Sequence, residues 1–311
     1  MTASFARTRS RTRHSPTARS MKAGWLFLTV VLGTASLTTP ARAWGPDGHQ
    51  IVARIAELHL SADAKAELAA LLPDAGLSDS NHISDTRLAS FADFVRHNSH
   101  FPQYAQSGPW HFVDIPISPD GPVAYDPQKH CKDGQCVLEQ IEGFQKVLAD
   151  KTQPKKKRQE ALVFLVHFVG DMSQPLHCAT RNDRGGNDVK VHYLGQSGNH
   201  LNLHSVWDDN LVRENMASFD AIKAANQMNE AITDADVAEW QGKTTKDWML
   251  ESYELARTSA YRVTPNGEFL ATTGTVNLGS DYVKANAKVA GSQLRKGGVR
   301  LAKVLNDALK P

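Results

Sequence analysis

The sequence predicts a mainly α-helical fold with only a few short strands. Apolar residues recur at helical spacing in several segments, whereas the alternation typical of strands is confined to two short runs. The sequence contains no internal repeat, no heptad seam and no low-complexity linker. We therefore expect residues 44–311 to form a single domain, in which a small β-hairpin or short strands accompany the helices.

The predicted helices begin near the start of this domain. Residues 50–72 predict two helices, with Ser61 as the N-cap of the second. Pro175 should end the long apolar helix that precedes it, because proline cannot continue a helix. The basic run PKKKR (154–158) predicts an exposed helix start, and the strand candidates are WHFVDIPI and KVHYLG. The other predicted helices are DTRLASFADFVRH, QCVLEQIEGFQKVLAD, KRQEALVFLVHFVGDM, ASFDAIKAANQMNEAI, DWMLESYELARTSAY and residues 282–309.

The first 43 residues are typical of a cleaved signal peptide with an extended n-region. Met21 and Lys22 precede the apolar run AGWLFLTVVLGTASL, which is short for a membrane span, and the small-x-small signature Ala-Arg-Ala ends at Ala43. An uncleaved anchor is the alternative, and the true start is either Met1 or Met21. Cleavage would leave Trp44 as the first residue of a periplasmic or secreted protein without stable membrane association.

The mature chain would carry a different net charge from the whole sequence. Residues 1–43 contain seven Lys or Arg and no acid, so their removal changes the formal charge from +2 to −5. The basic balance of the whole chain therefore does not indicate a basic nucleic-acid-binding surface. Any attraction for phosphate would be local to bound metal ions.

The segment FLVHFVGDMSQPLH sets polar side chains in an apolar helix. His167 and Asp171 are four residues apart, so they share one helix face and can bind the same cation. His204 and Asp208 repeat this spacing, and His177 follows the helix. Each pair alone can be a hydrogen-bonded core histidine. Two pairs plus His177 favour a metal site, since imidazole and carboxylate are common zinc ligands.

The cysteines suggest a small cross-linked loop. Cys131 and Cys136 lie in HCKDGQC, and export favours a disulfide between them. A zinc site is the alternative, but the sequence has no second cysteine pair to complete it. Cys178 is left as a buried free thiol or an incidental neighbour of a metal.

Four further candidate ligands complete an ordered set of nine: Trp44, His49, Asp93 and His111 precede the five already named. The order Trp, His, Asp, His, H-x3-D-x5-H, H-x3-D resembles the S1/P1 family of zinc-dependent single-strand nucleases, in the phospholipase C/P1 nuclease superfamily. The resemblance covers essentially the whole mature chain. Its secondary marks are RGGND (184–188), NLHSVWD (202–208), the Cys-x4-Cys loop, ESYELARTSAY (251–261) and GVRLAKVLN (298–306).

The resemblance implies the helical fold of that superfamily and three Zn²⁺ ions. Zinc accepts imidazole nitrogen and carboxylate oxygen, and an α-amine qualifies because its pKa of about 8 allows displacement of the proton. The implied ligands are Asp93, His111, His167 and Asp171 for the first ion; the α-amine and carbonyl of Trp44, His49 and the shared Asp171 for the second; and His177, His204 and Asp208 for the third.

The resemblance also implies phosphodiester hydrolysis. Two ions that share Asp171 would activate water, and the zinc-bound hydroxide would attack phosphorus in line. The third ion would stabilise the departing 3′ oxygen, which yields 5′-phosphorylated products. Asp93 and Asp171 would be catalytic through the metal. Arg96, one turn after Asp93, would stabilise transition-state charge, or else be an ordinary surface arginine.

Three residues are implied in substrate binding. Phe112 would stack on a base, and Asp114 would accept hydrogen bonds from the edge of that base; core packing is the alternative for Phe112. Stacking requires an unpaired base, so the expected substrates are single-stranded DNA, RNA and nucleotides, including 3′-nucleotides. Asn187 in RGGND is a further candidate, either for substrate or for orienting a ligand, although a Gly-rich turn uses Asn for its own hydrogen bonds.

Two other functions are alternatives to a trinuclear-zinc endonuclease. A zinc-dependent phospholipase C would have a similar fold and site, but its last ligand is typically Glu where this chain has Asp208, and it lacks the HFVD arrangement. A zinc-storage protein would need closed sites, whereas the third set offers only three protein ligands. Oligomeric state, base preference and pH optimum do not follow from the sequence.

Overall fold

Helices dominate the described part of the chain. The computed structural model describes residues 44–72, 81–271 and 273–311, and the signal peptide predicted over residues 1–43 lies outside them. The predicted mainly α-helical class is confirmed. The α-helical segments of the described residues are α1 (Pro46–Leu58), α2 (Ala62–Leu71), α3 (Thr86–Ala89), α4 (Phe91–Val95), α5 (Pro127–His130), α6 (Val137–Ala149), α7 (Lys155–Ser173), α8 (Leu203–Ser205), α9 (Leu211–Arg213), α10 (Ala221–Glu230), α11 (Asp234–Gln241), α12 (Thr245–Leu255) and α13 (Ser280–Ala308).

Helix α7 carries the FLVHFVGDM segment through the protein core. Every residue from Ala161 to Ser173 is buried, and α7 packs against α1, α6 and α13. A helix that is apolar on nearly all sides is typical of such a position. It ends at Ser173, and a 3₁₀ turn, Pro175–His177, follows. The predicted end of the helix before Pro175 is therefore confirmed, and His177 lies off the axis of α7.

The other helix predictions hold with three differences. The helix start at PKKKR is exposed from residue 154 to 157 as predicted, but Arg158 is buried and donates to the Leu148 oxygen. Ser61 caps α2 as predicted, since its hydroxyl oxygen accepts a hydrogen bond from the Ala64 N–H. The segment DTRLASFADFVRH forms two short helices, α3 and α4, that meet at Ser90. Helix α11 was not predicted, because its sequence DADVAEWQ is polar and its start is set by the capping Thr233.

The strands form one short parallel pair. Strand β1 (Val191–Tyr193) lies in the predicted KVHYLG run and pairs with β2 (Val276–Leu278), so short strands are confirmed but the pair is not a hairpin. The strand prediction for WHFVDIPI is wrong. Its first residues belong to a 3₁₀ helix, Gly108–His111. The following residues are extended and bond to the chain after α7, but Pro116 lacks an N–H with which to continue a ladder.

Three smaller features complete the description. Cys131 and Cys136 form the predicted disulfide, with a Cα–Cα distance of 5.1 Å. Two π-helical turns, Val206–Asn210 and Ala256–Ala260, follow α8 and α12. Among the described residues, no helix is long and apolar enough to cross a membrane.

Candidate metal centre

Three groups of potential metal ligands form in the described part of the chain. In each group the candidate ligand atoms lie within 4.8 Å of one another, although the residues come from distant parts of the sequence. The first cluster is Asp93, His111 and His167; the second is His49, His167 and Asp171; the third is His177, His204 and Asp208. Eight of the nine sequence-predicted ligands therefore come together, and Trp44 is the remaining one.

Asp171 connects the first two clusters. Its Oδ1 lies 3.3 Å from both His49 Nε2 and His167 Nε2, and its Oδ2 lies 2.9 Å from His111 Nδ1. Asp93 Oδ1 lies 3.8 Å from His167 Nε2 and 3.9 Å from His111 Nδ1. One carboxylate thus faces imidazoles of both clusters, as its predicted bridging role requires.

Several polar atoms of these two clusters are buried without a hydrogen-bond partner. They are both ring nitrogens of His49, Nε2 of His111, Nε2 of His167 and Oδ1 of Asp171. Leaving such atoms unpaired costs free energy, and buried polar groups usually have partners. A cation between the rings and the carboxylates would satisfy them, so the residues fit a metal ion.

Backbone carbonyls orient three of the imidazoles. Nδ1 of His167 lies 2.9 Å from the Ala89 oxygen, Nδ1 of His177 lies 2.6 Å from the His111 oxygen, and Nδ1 of His204 lies 2.6 Å from the Gly185 oxygen. A carbonyl only accepts, so each Nδ1 carries the hydrogen and donates. This tautomer leaves the lone pair on Nε2, where a metal ligand needs it.

The third cluster lies at the end of α7 and the start of α8. Nε2 of His177 and Nε2 of His204 are 3.0 Å apart, and Nε2 of His204 lies 3.5 Å from Asp208 Oδ2. Since both rings donate through Nδ1, two lone pairs face each other unless a proton or a cation lies between them. Gln174 Nε2 donates to the other oxygen of Asp208 at 2.7 Å and fixes the carboxylate.

Burial favours the neutral form of the ligands in the absence of a cation. Desolvation lowers the pKa of His49, His111 and His167, and the neighbouring imidazoles and Arg96 add to the effect on His49 and His111. Desolvation raises the pKa of Asp171 well above its usual range, and the negative charge of Asp93 raises it further. A divalent cation would reverse this balance for the carboxylate and keep it ionised.

Arg96 lies beside the first cluster. Its guanidinium Nη2 is 2.8 Å from Asp93 Oδ1, and its side chain is buried. This position rules out an ordinary surface arginine. The positive charge is therefore held within reach of any group bound at the first cluster.

Phe112 and Asp114 lie on the extended segment that follows His111. Phe112 is half-buried, whereas Val113 and Ile115 are fully buried and Asp114 is exposed. The Phe112 carbonyl accepts a hydrogen bond from the Val137 N–H, directly after the disulfide loop. Although Asp114 has solvent contact, the surrounding protein partly desolvates it and, with the charge of Asp183, raises its pKa to about 6.

The RGGND turn supports the third cluster through its backbone. Asn187 donates to the Arg184 oxygen and Asp188 pairs with the Arg184 guanidinium, so neither side chain orients the imidazole of His204. That imidazole bonds to the oxygen of Gly185, whose φ is +62°. A Cβ at Gly185 would lie 2.5 Å from the Leu176 oxygen, which only glycine avoids.

Two residues that support this turn were not predicted from the sequence. The buried Asp183 carboxylate accepts hydrogen bonds from the N–H groups of Arg181 and Gly186 and from the Tyr261 hydroxyl. Tyr261 lies in the ESYELARTSAY motif, but nothing in its local pattern indicates a partner in a distant turn. The position of Asp183 two residues before the Gly185-Gly186 pair is the sequence signal that could have indicated its role.

Trp44 is fully buried at the start of the described chain, next to α7 and the third cluster. The N–H of Gly45 donates to the backbone carbonyl oxygen of Asp208 at 3.0 Å. A Cβ at Gly170 would lie 2.8 Å from His49 Nδ1 and 3.9 Å from the Trp44 indole. The absence of a side chain at Gly170 thus allows the N-terminal segment to approach α7 closely.

A mainly helical fold with three clusters of imidazole and carboxylate groups defines a protein with candidate metal-binding sites. Comparison with known sequences identifies its family. The S1/P1 nuclease family matches residues 44–310, and the chain therefore belongs to that family.

Individual relatives agree with this assignment. The chain is 30% identical to nuclease P1 of Penicillium citrinum over 283 residues, which cover 85% of this chain and 97% of the relative. It is 30% identical to endonuclease 4 of Arabidopsis thaliana over 305 residues, or 91% and 94% of the two chains. Endonuclease 3 of the same plant is 28% identical over 303 residues, or 91% and 96%.

Proposed function

We propose that residues 44–311 form a zinc-dependent phosphodiesterase that hydrolyses single-stranded DNA and RNA to 5′-phosphorylated products and also acts on 3′-nucleotides. The observation that carries the proposal is the set of three ligand clusters, two of which share His167 and face the buried carboxylate of Asp171. The relatives named as nucleases and endonucleases, which match most of the chain, support the same reaction class.

The residues present fit zinc. The first ion would be held by Asp93, His111, His167 and Asp171, the second by His49, Asp171 and the α-amine and carbonyl of Trp44, and the third by His177, His204 and Asp208. Every side chain in these sets offers imidazole nitrogen or carboxylate oxygen, which zinc accepts. When bound, the ions would supply Lewis acidity and lower the pKa of water near the phosphate.

The protein side chains have separate roles in this reaction. The carbonyls of Ala89, His111 and Gly185 hold the imidazoles in the tautomer that binds metal. Arg96, fixed by Asp93, would stabilise negative charge that develops on the phosphoryl group.

Substrate selection would depend on Phe112 and Asp114. A half-buried ring offers a stacking surface, and the adjacent exposed carboxylate accepts hydrogen bonds from base N–H groups. A base inside a duplex presents no free face, which gives the preference for single strands. Asn187 is the third substrate-binding candidate. It follows Gly185, whose carbonyl holds His204 of the third cluster, by two residues.

The reaction is tested by incubating the mature protein with single-stranded DNA, RNA, a 3′-nucleotide and phosphatidylcholine. We expect 5′-phosphorylated oligonucleotides and nucleotides from the first two and phosphate from the third. Release of diacylglycerol without nucleotide products would favour a phospholipase C and reject the nuclease.

An Arg96→Gln variant should lower kcat roughly 100-fold with zinc content unchanged.

Export with cleavage before Trp44 is part of the proposal, and the family match that begins at residue 44 supports it. N-terminal sequencing of protein from the periplasm and the medium tests the cleavage site. A mature form with one extra residue before Trp44 tests the α-amine ligand. Unchanged zinc content and activity in this form would reject that ligand.

A further inference from the structure

A cavity lies further along the segment that carries Phe112 and Asp114. Its volume is about 380 Å³. Its walls are joined by hydrogen bonds from the Ile117 N–H to the Thr180 oxygen and from the Thr180 N–H to the Ile115 oxygen. The lining residues are Pro116, Ile117, Pro119, Thr180, Arg181, Asn182 and Phe269.

The cavity is connected to the candidate base-binding residues by the extended backbone. Phe112, Asp114 and Pro116 alternate with the buried Val113 and Ile115, so they share the less buried side of the segment. Asp114 and Pro116 are two residues apart, or about 7 Å along an extended chain. A strand bound at the metal clusters could therefore continue from Asp114 into the cavity.

The cavity is cationic and has an aromatic wall. The Arg181 guanidinium lies 4.9 Å from the centre of the Phe269 ring, and that of Arg262 lies 3.4 Å from it. No carboxylate lines the cavity among the described residues. One guanidinium N–H of Arg181 donates to the Leu270 oxygen, and a guanidinium has five donors, so others can face a ligand.

This local charge contrasts with the net charge of −5 of the proposed mature chain as a whole. Burial lowers the pKa of Arg262, and the nearby guanidinium groups of Arg257 and Arg181 lower it further, although Glu254 opposes this shift. An apolar wall with a forked cation matches a nucleotide, whose base is apolar on its faces and whose phosphate accepts two N–H bonds.

We propose that this cavity is an additional nucleotide subsite for polynucleotide substrates. Arg181 would bind a phosphate of the strand, and Pro116, Pro119 and the edge of Phe269 would contact the attached sugar or base. The inference rests on the proposed nuclease function. It predicts that the cavity contributes to hydrolysis of oligonucleotides but not of substrates too short to reach it.

The test compares an Arg181→Gln variant with the parent on a dinucleotide, a 3′-nucleotide and single-stranded oligomers of increasing length. We expect kcat/KM to fall roughly tenfold on long oligomers, since one charge-assisted phosphate contact is lost, and to stay unchanged on the two short substrates. The plot of log(kcat/KM) against log salt has a negative slope, and this slope should become less steep by about one for long oligomers alone.

A second variant leaves in place the contacts of Arg181, which are its hydrogen bond to the Leu270 oxygen and its cation–π contact with the Tyr261 ring. Asn182 is exposed with φ +61°, a conformation that Asp also tolerates, so Asn182→Asp adds a negative charge at the cavity without removing a contact of Arg181. We expect it to weaken hydrolysis of long oligomers in the same selective way. Lys157→Gln is the matched control, because Lys157 is an exposed cation at the other end of α7.

The outcomes separate the two proposals. Equal losses on long and short substrates, or an equal loss in Lys157→Gln, would overturn the subsite and leave the nuclease function intact. Unchanged hydrolysis of long oligomers in both cavity variants would do the same. A parent protein that cleaves no nucleic acid would overturn the function and the subsite with it.

Discussion

At the scale of single residues, Asp171 has the most connections within the metal centre. Its two oxygens face three imidazoles that belong to two clusters, and it is fully buried. His177, by contrast, belongs to the third cluster alone. Loss of these two side chains should therefore have different consequences for metal content.

We expect Asp171→Ala to lose about two metal ions per chain and His177→Ala about one. Elemental analysis of the purified proteins measures this directly. His192→Ala serves as the control, since His192 bonds to Asn277 at the strand pair and should keep the parental content. Full metal content in Asp171→Ala would contradict the shared role of this carboxylate.

The raised pKa of Asp114 gives a pH-dependent prediction. The carboxyl ionises near pH 6 in the folded protein but near its usual value in the unfolded chain, so ionisation opposes folding above about pH 6 and not below about pH 4. Asp114→Asn should thus raise the free energy of unfolding at pH 7.5, by about 1 kcal/mol or less because the side chain has solvent contact, and not at pH 4.

Urea unfolding of both proteins at the two pH values measures this difference. The same variant should bind substrates with base N–H donors less well above pH 6, since Asn offers one acceptor where the carboxylate offers two. A stability gain of equal size at both pH values would mean that ionisation of Asp114 is not its cause.

The clustering of the candidate ligands could be anticipated from the sequence, but the groups that support them could not. His167 and Asp171 stand out because polar residues at a four-residue spacing are rare in an apolar helix. The carbonyls of Ala89 and Gly185 carry no sequence signal, since every residue has such a group. Their positions depend on where α3 ends and how the RGGND turn folds, which are tertiary properties.

At the scale of elements, the RGGND turn supports His204 of the third cluster and is sensitive to a single substitution. Gly185→Ala would force an alanine into φ +62° and push its Cβ against the Leu176 oxygen, beside His204 Nδ1. We expect a loss of roughly 1–3 kcal/mol in unfolding free energy and the loss of about one metal ion.

Gly195→Ala is the matched control for this prediction. Gly195 has φ +79° but nothing within 4 Å of an added Cβ, so it shares the backbone strain without the clash. Denaturation and elemental analysis should show a smaller loss of stability and full metal content. Equal behaviour of the two variants would mean that the turn does not hold His204.

The type of a secondary-structure element could be predicted where one hydrophobic pattern dominated its sequence. The prediction was wrong where prolines opposed the pattern. Helix α7 is apolar over many residues and was predicted with its end. WHFVDIPI has the alternation of a strand, but Pro109 starts a 3₁₀ turn and Pro116 interrupts the ladder. The partner of β1 could not be predicted, because parallel strands are joined through long connections.

At the scale of the whole molecule, metal binding should be linked to folding. The candidate ligands come from α1, α4, α7, α8 and the loops between them, and several buried atoms of the first two clusters have no hydrogen-bond partner among the described residues. Chelation should lower the thermal midpoint by at least roughly 5 °C, and added Zn²⁺ should restore it. Calorimetry with and without chelator checks this; an unchanged midpoint would mean that the clusters do not depend on a cation.

The hydrogen bond from His177 Nδ1 to the His111 oxygen means that the third cluster and the segment after His111 cannot be redesigned independently of each other. It ties a ligand of the third cluster to the backbone of the segment that presents Phe112 and Asp114, and the Val113 N–H donates back to the His177 oxygen. We therefore expect a library that varies Phe112 or Asp114, the residues proposed to contact a base, to change metal affinity as well. Such a selection should be scored for zinc retention and for sequence preference together.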